Sequence, residues 1–278
     1  MGINTEGVQL LVDHINPGVL KHGTVIEFGA QDLTPMPKAL PKIFEKAGIN
    51  YPNNSIDTAE SLYRAIGFND YKCIDAIDLH GALNFDLNLD LKATYGFEDQ
   101  FDLVTNFGTT EHCFNQYACF KSVHDLCHEG GLMLHSVPSS GFPNHGFFLY
   151  HPRFFADLAA ANGYEIVWLG FTIDCMPELV TYTQKSFRKY GSRDLHIYTV
   201  LRKRNAEEFV TPFDGVYQEK NKLTGYSSNN SDHEGTLFEQ YLRTGDWRNI
   251  LVDDTIARRI RRVVRRIKSR TAHIVRQF

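Results

Sequence analysis

Apolar positions along residues 5–204 follow two rhythms: short runs of strand length, and stretches in which they return every three or four residues. Helical spacing opens the chain at about 5–15. Gly23 to Gly29, reading GTVIEFG, forms a buried strand that ends in a glycine turn. Residues 57–67 (DTAESLYRAIG) carry a helix-start signal in Asp57 or Thr58, and YKCIDAIDL at 71–79 forms a second buried strand. The acidic-apolar stretch ALNFDLNLDL follows at 82–91. FDLVTNFGT (101–109) is a strand running into a polar turn, QYACFKSVHDLCHEGG (116–131) a helix closed by a glycine pair, and LMLHSVP (132–138) the next strand. HPRFFADLAAANGYEIVWLGF (151–171) repeats helix, glycine turn and strand, and DLHIYTVLRKR (194–204) closes the series. Strands alternating with helices predict an α/β fold with a doubly wound, mostly parallel sheet, whose ligands bind just beyond the carboxyl ends of the strands.

Past residue 205 the pattern weakens, and 226–236 has the Ser, Asn and Asp content of a surface linker. The expected division is an α/β domain at 1–204, an irregular extension and linker at 205–253, and a basic amphipathic helix at 254–278. Charge makes the last segment stand out. Residues 255–278 hold nine Lys and Arg and no acid, which leaves twenty basic against thirty-three acidic residues upstream, a net of about −13. At helical spacing Ile256, Ile260, Val263, Val264, Ile267, Ile274 and Phe278 fall along one stripe and arginines fill the rest. Such a helix suits an anionic membrane surface or, less well, nucleic acid, and it could equally pack on the acidic body or a second subunit.

A content of 42% hydrophobic and 13% aromatic residues excludes disordered, collagen-like and coiled-coil classes. No apolar run reaches the roughly 20 residues of a membrane span. The opening MGINTEGVQLLVDHINPGVL is not a secretory leader, and Cys73, Cys113, Cys119, Cys127 and Cys175 form an odd set without a C-x-x-C pair. A cytoplasmic protein is expected, peripheral at the inner membrane face if the basic helix binds there.

The chemistry begins at Glu27-Phe28-Gly29-Ala30-Gln31, where a strand, an acid and a glycine turn meet. This segment resembles motif I of class I S-adenosylmethionine-dependent methyltransferases, although Gln31 and Leu33 stand where further glycines are common in that family. The resemblance extends over about 20–204 and implies a Rossmann-like methyltransferase fold with a seven-stranded sheet. It implies S-adenosylmethionine as cofactor, with backbone amides of the Gly29 turn near its methionine portion. It implies that Asp78 accepts from both ribose hydroxyls, with Asp75 as the competing position because register is not fixed by sequence. It further implies that Asp86 contacts the adenine amino group, with Phe85 and Leu87 as apolar neighbours of the ring. FDLVTNFGTTEH resembles motif IV, which brings Asn106 through His112 to the open end of the fourth strand, and HEGGLMLHSVP resembles the segment leading into the fifth. Each position also has a structural reading: Asp75 and Asp78 as strand-end or cap acids, Gly130 and Gly131 as helix terminators, Glu27 as a buried acceptor.

His112, His135, His145 and His151 follow the fourth and fifth strands, so their imidazoles could converge near one mouth. A methyl sulfonium is already a good electrophile, so an enzyme that transfers its methyl to a hydroxyl needs in-line positioning and a base, which histidine supplies near neutral pH. Candidates are His112, His145 and His135, with Glu111 as an orienting acid; each histidine alone also fits a loop or core position. These groups lack a tight ligand spacing such as H-E-x-x-H, and no metal is predicted. His124 and His128 have that spacing on a helix, but they are expected on an outer surface. The loop GFPNHGFFLYHPRFF presents Phe142, Phe147, Phe148 and Tyr150 with Asn144 and Arg153, a combination suited to a sugar or similar polar ring and also to plain core packing.

The sequence therefore predicts O-methylation of a small-molecule or glycan acceptor. Two alternatives compete: a nicotinamide-dependent oxidoreductase or epimerase, which would require a fuller G-x-G-x-x-G turn and a nearer acid, and a non-catalytic methyltransferase-like adaptor that binds membrane or nucleic acid through its tail.

Overall fold

The computed structural model describes residues 2–15, 23–34, 39–52 and 55–214. The expected basic helix at 254–278 and most of the 205–253 extension lie outside the described residues.

Helix α1 (Thr5–His14) starts where the Asn4 side chain accepts from the Gly7 amide at 2.9 Å. Strand β1 (Thr24–Phe28) follows, then α2 (Leu40–Lys46) and α3 (Ala59–Ile66). Thr58, one of the two expected starters, caps α3: its hydroxyl accepts from the Ser61 amide, while the Ser61 hydroxyl accepts from the Thr58 amide. Gly67, left-handed at φ +115°, ends the helix. Strand β2 (Asp70–Asp75) stops four residues short of the expected end at 79. The 82–91 stretch contributes a two-residue strand, β3 (Leu83–Asn84), and leads into α4 (Leu91–Tyr95). Then come β4 (Phe101–Phe107), α5 (Gln116–Leu126), β5 (Cys127–Ser140), α6 (Pro152–Asn162), β6 (Glu165–Ile173), β7 (Val180–Thr181), α7 (Gln184–Tyr190) and β8 (Leu195–Arg202).

The strands lie in the order β3-β2-β1-β4-β5-β8-β6-β7. Every pairing from β3 to β5 is parallel, and β8 runs antiparallel to both β5 and β6. Among the described residues the sheet has eight strands rather than seven, because β7 adds a two-residue edge. Both faces are covered. Val25, Leu103, Leu134 and Val200 pack with α1 and α3 on one side, while Ile26, Phe28, Val104 and Met133 pack with α5 and α6 on the other. Burial on both faces explains why the central strands read as continuous apolar runs.

The glycine pair is not a helix stop. Helix α5 ends at Leu126, and Gly130 and Gly131 lie inside β5, where the Gly130 amide donates to Lys203 O at 2.8 Å and Lys203 N donates to Gly131 O at 3.0 Å. Gly130 holds φ +86°, and a Cβ on Gly131 would come within 3.1 Å of Cys127 Sγ, His128 O and Asp102 O. The pair lets two backbones approach beside a register shift in the β4–β5 ladder. His124 and His128 do not share a helix. His124 is buried, with Nδ1 2.6 Å from Tyr164 Oη, and His128, at the start of β5, has Nε2 2.5 Å from Asp102 Oδ1.

Candidate active site

A cleft of about 340 Å³ opens where β1, β2 and β4 end side by side. That size falls in the range of small-molecule sites, roughly 300–1,000 Å³. One wall is the turn after β1. Gly29 takes φ +79°, and its amide donates to Ile74 O at 2.8 Å. A Cβ there would sit 2.3 Å from Thr109 Oγ1 and 2.7 Å from Gln31 Nε2, so only glycine fits. Thr109 binds the turn to the end of β4: its hydroxyl donates to Phe28 O at 2.7 Å and accepts from Gln31 Nε2 at 3.1 Å.

Asp75 closes β2 at the next wall, and its Oδ2 accepts from the Ala30 amide at 2.9 Å. Asp78, the acid favoured from sequence, lies three residues beyond the strand end, exposed and off the cleft wall; Asp75, its competitor, stands on it. Asp86, Leu87 and Asn88 supply the third wall. Asp86 Oδ1 accepts from both the backbone and side-chain nitrogen of Asn88 at 2.8 Å, and Asn88 O and Oδ1 accept from Asn115, the cap of α5. Phe85 stays behind this wall, stacked on Tyr95 with ring centroids 4.2 Å apart.

Glu27 and Asn106 are at their expected strand ends but not in the cleft. Glu27 is fully buried on the opposite face, where its Oε1 accepts from Tyr63 at 3.0 Å and its Oε2 from Tyr71 at 2.9 Å. Burial pushes its carboxyl up to about 8, against the lowering effect of these hydrogen bonds. Asn106 folds inward and caps its own turn: Oδ1 accepts from the Thr109 and Thr110 amides, and Nδ2 donates to Thr110 Oγ1 at 2.9 Å. Gly108, Thr109 and Cys113 take the positions on the wall that sequence assigned to Asn106. The Gly and Thr turn residues of NFGTT are the available signal for Gly108 and Thr109, and Cys113 has none.

Glu111 and His112 follow on a 3₁₀ turn (Thr110–His112), and His112 lines the cleft. The loop after β5 brings His145 to them. Its Nε2 is 3.4 Å from Glu111 Oε1, and its ring centroid is 4.9 Å from that of His112. Burial raises the Glu111 carboxyl to about 7; burial, then the neighbouring His145, lowers His112. One ligand atom from each of Glu111, His112 and His145 lies within 4.8 Å of the others, a grouping that could hold a metal ion.

His135 and His151 do not join them. His135 is 1% exposed beneath Phe120 and Phe155, and burial lowers it to about 3, so it is a neutral core imidazole. His151 caps α6 by accepting from the Arg153 amide. In the aromatic loop, Phe147 is exposed edge-on to Phe114, whereas Tyr150 is buried with its hydroxyl 2.5 Å from Gln116 Oε1. Arg153 is drawn to Asp157 and Asp214. A second hollow, about 230 Å³ and mostly apolar, lies between α1 and Tyr51, Ser55, Ile56 and Asp57, and among the described residues it brings together no cluster of titratable groups.

No protein-family model matches the sequence, and no curated protein is a significant match. Solved structures with a similar fold include the O-methyltransferase of a polyketide synthase multienzyme from Brevibacillus brevis in complex with S-adenosyl-L-homocysteine (12% identity, 87% of this chain and 83% of that one, TM-score 0.45). Another is 1,6-didemethyltoxoflavin-N1-methyltransferase from Burkholderia thailandensis with bound S-adenosylhomocysteine (12% identity, 72% and 80%, TM-score 0.41). A third is the [4+2]-cyclase SpnF (10% identity, 72% and 80%, TM-score 0.37). With identities this low and TM-scores below 0.5, these likenesses carry no weight for the activity of this chain.

Proposed function

We propose that this chain is an S-adenosylmethionine-dependent methyltransferase that methylates an oxygen of a small-molecule or glycan acceptor. The observation that carries the proposal is the cleft itself: a glycine turn after β1, a carboxylate closing β2 and a further carboxylate at Asp86 meet in one hollow at the carboxyl ends of parallel strands. This is the segment order of the resemblance, and the same hollow opens onto the histidines. Asp75 takes the ribose role, because two coplanar carboxylate oxygens suit a vicinal diol. The 29–31 turn faces the methionine portion, and Asp86 and Leu87 face the adenine. His112 lines the cleft, and burial, then the neighbouring His145, lowers its proton affinity, which favours the neutral form that an acceptor of the hydroxyl proton needs. Exposed Phe114 and Phe147 offer aromatic faces to a sugar or similar ring.

Calorimetric titration with S-adenosylmethionine and S-adenosylhomocysteine tests the assignment. Asp75→Asn, which keeps an oxygen for the Ala30 amide but loses the charge, should weaken binding by about 10–100-fold, the worth of a charge-assisted hydrogen bond. Asp78→Ala should leave it within about twofold, as for an exposed residue off the wall. No binding by folded wild-type protein, or equal losses in both variants, would refute the proposal.

A further inference from the structure

Glu111 is fully buried, yet among the described residues neither of its carboxylate oxygens has a hydrogen-bond partner, and His145 Nε2, also buried, has none either. Among the described residues these atoms meet only each other, in the 3.4 Å ion-pair approach, while the His145 ring lies edge-on to His112. Buried polar atoms are normally satisfied, and two orphaned groups that face each other beside a third ligand side chain point to something held between them. Together with His112 they form the one group of three metal-competent side chains found among the described residues.

The donor set is specific. Two imidazoles and one carboxylate suit zinc or a divalent ion of manganese, iron or cobalt and leave further positions open. Two ligands about 2.1 Å from one ion lie roughly 3.0–3.4 Å apart. The Glu111–His145 separation is already there, and the widest spacing, 4.8 Å at most, has only a small distance to close. The scaffold holds two of the three firmly. Glu111 and His112 are neighbours on the 3₁₀ turn, and the His145 loop is fastened to that turn by the Phe147 and Phe148 amides, which donate to Glu111 O at 2.7 and 3.2 Å. Gly146, at φ +67°, permits this approach, since a Cβ would lie 2.9 Å from Glu111 O. Sequence spacing concealed the site because the third ligand arrives from a loop beyond the next strand.

We propose that Glu111, His112 and His145 bind one divalent transition-metal ion at the mouth of the cleft. Its open positions take water or an oxygen of the acceptor, and there the ion would orient a hydroxyl and lower its proton affinity, the task given above to a free His112. That role at the acceptor rests on the methyltransferase proposal; the ion site does not.

Tag-free protein spanning residues 1–278, stripped with chelator, should be titrated calorimetrically with Zn²⁺, and with Co²⁺ while following its visible absorption. One equivalent should bind, and His112→Ala, His145→Ala and Glu111→Gln should each weaken binding by at least about tenfold. Thermal unfolding of each variant verifies the fold, and His145, on a loop, keeps the test valid if Glu111→Gln does not fold. Absence of a stoichiometric site in the wild type, or its persistence in a His112→Ala/His145→Ala double variant, would overturn the proposal and leave an ion pair only. S-adenosylmethionine titration of the same samples separates the two failures: cofactor binding without metal sinks only the ion site, and metal binding without cofactor sinks only the methyltransferase assignment.

Discussion

Glu27 shows what a single buried carboxyl does to a protein of this kind. Its folded-state value near 8 lies above the usual 4.5, chiefly through burial, with opposing hydrogen bonds from Tyr71, Tyr63 and the Gln31 amide. Below about pH 4.5 the group is protonated whether the chain is folded or not. Between about 4.5 and 8 the folded protein retains a proton that the unfolded chain has released, so stability falls as pH rises across that window. Glu27→Gln stays neutral throughout. Its unfolding free energy, measured by urea denaturation at pH 5 and at pH 8, should gain on the wild type by up to about 1.4 kcal/mol per pH unit between them. Parallel profiles would show that Glu27 is ionised in its site. Buried His135 and His196 act oppositely over a lower range, since both are lowered to about 3, and they cancel in the comparison.

At the scale of elements, the turn after β1 couples local backbone geometry to the site. Gly29→Ala places a Cβ against Thr109 Oγ1 and Gln31 Nε2 at a left-handed φ, and so disrupts the contact by which Thr109 holds Phe28 O. The variant should lose about 1–3 kcal/mol of stability and, at a temperature where it is still folded, its affinity for S-adenosylmethionine. Thermal melting and calorimetry check the two effects separately, and wild-type affinity in the variant would show that the turn does not face the cofactor. Elements of this kind were legible in the sequence where burial on both faces produces an unbroken apolar run, as in β1 and β4, or where a cap has its own signature, as at Thr58. The end of β2 was not, because IDAID offers two acids after apolar residues. What holds Asp75 at the strand end is the Ala30 amide from the neighbouring turn, a contact made only in the folded sheet. The core position of His135 is hidden for a related reason: the parity of β5, which turns it under Phe120 and Phe155, depends on a ladder already shifted beside the Gly130–Gly131 bulge.

For the whole molecule the question is whether site and tail are separable. Every residue assigned to cofactor, acceptor or ion falls between Gly29 and Phe147, on a sheet closed by β8 at Arg202. The nine basic residues of 255–278, in contrast, follow an acidic body. We propose that this segment binds an anionic membrane surface, as its stripe of Ile and Val between arginines suits. Removing 255–278 should then leave S-adenosylmethionine affinity unchanged and abolish co-sedimentation with vesicles containing phosphatidylserine. Binding of the 1–278 chain to those vesicles should weaken steeply between about 50 and 200 mM salt, as the surface charge is screened. Retained sedimentation of the truncated protein would place the membrane contact elsewhere, and lost cofactor affinity would mean that the tail supports the cleft. Binding of the 1–278 chain to RNA but not to vesicles would transfer the same charge pattern to a nucleic-acid partner.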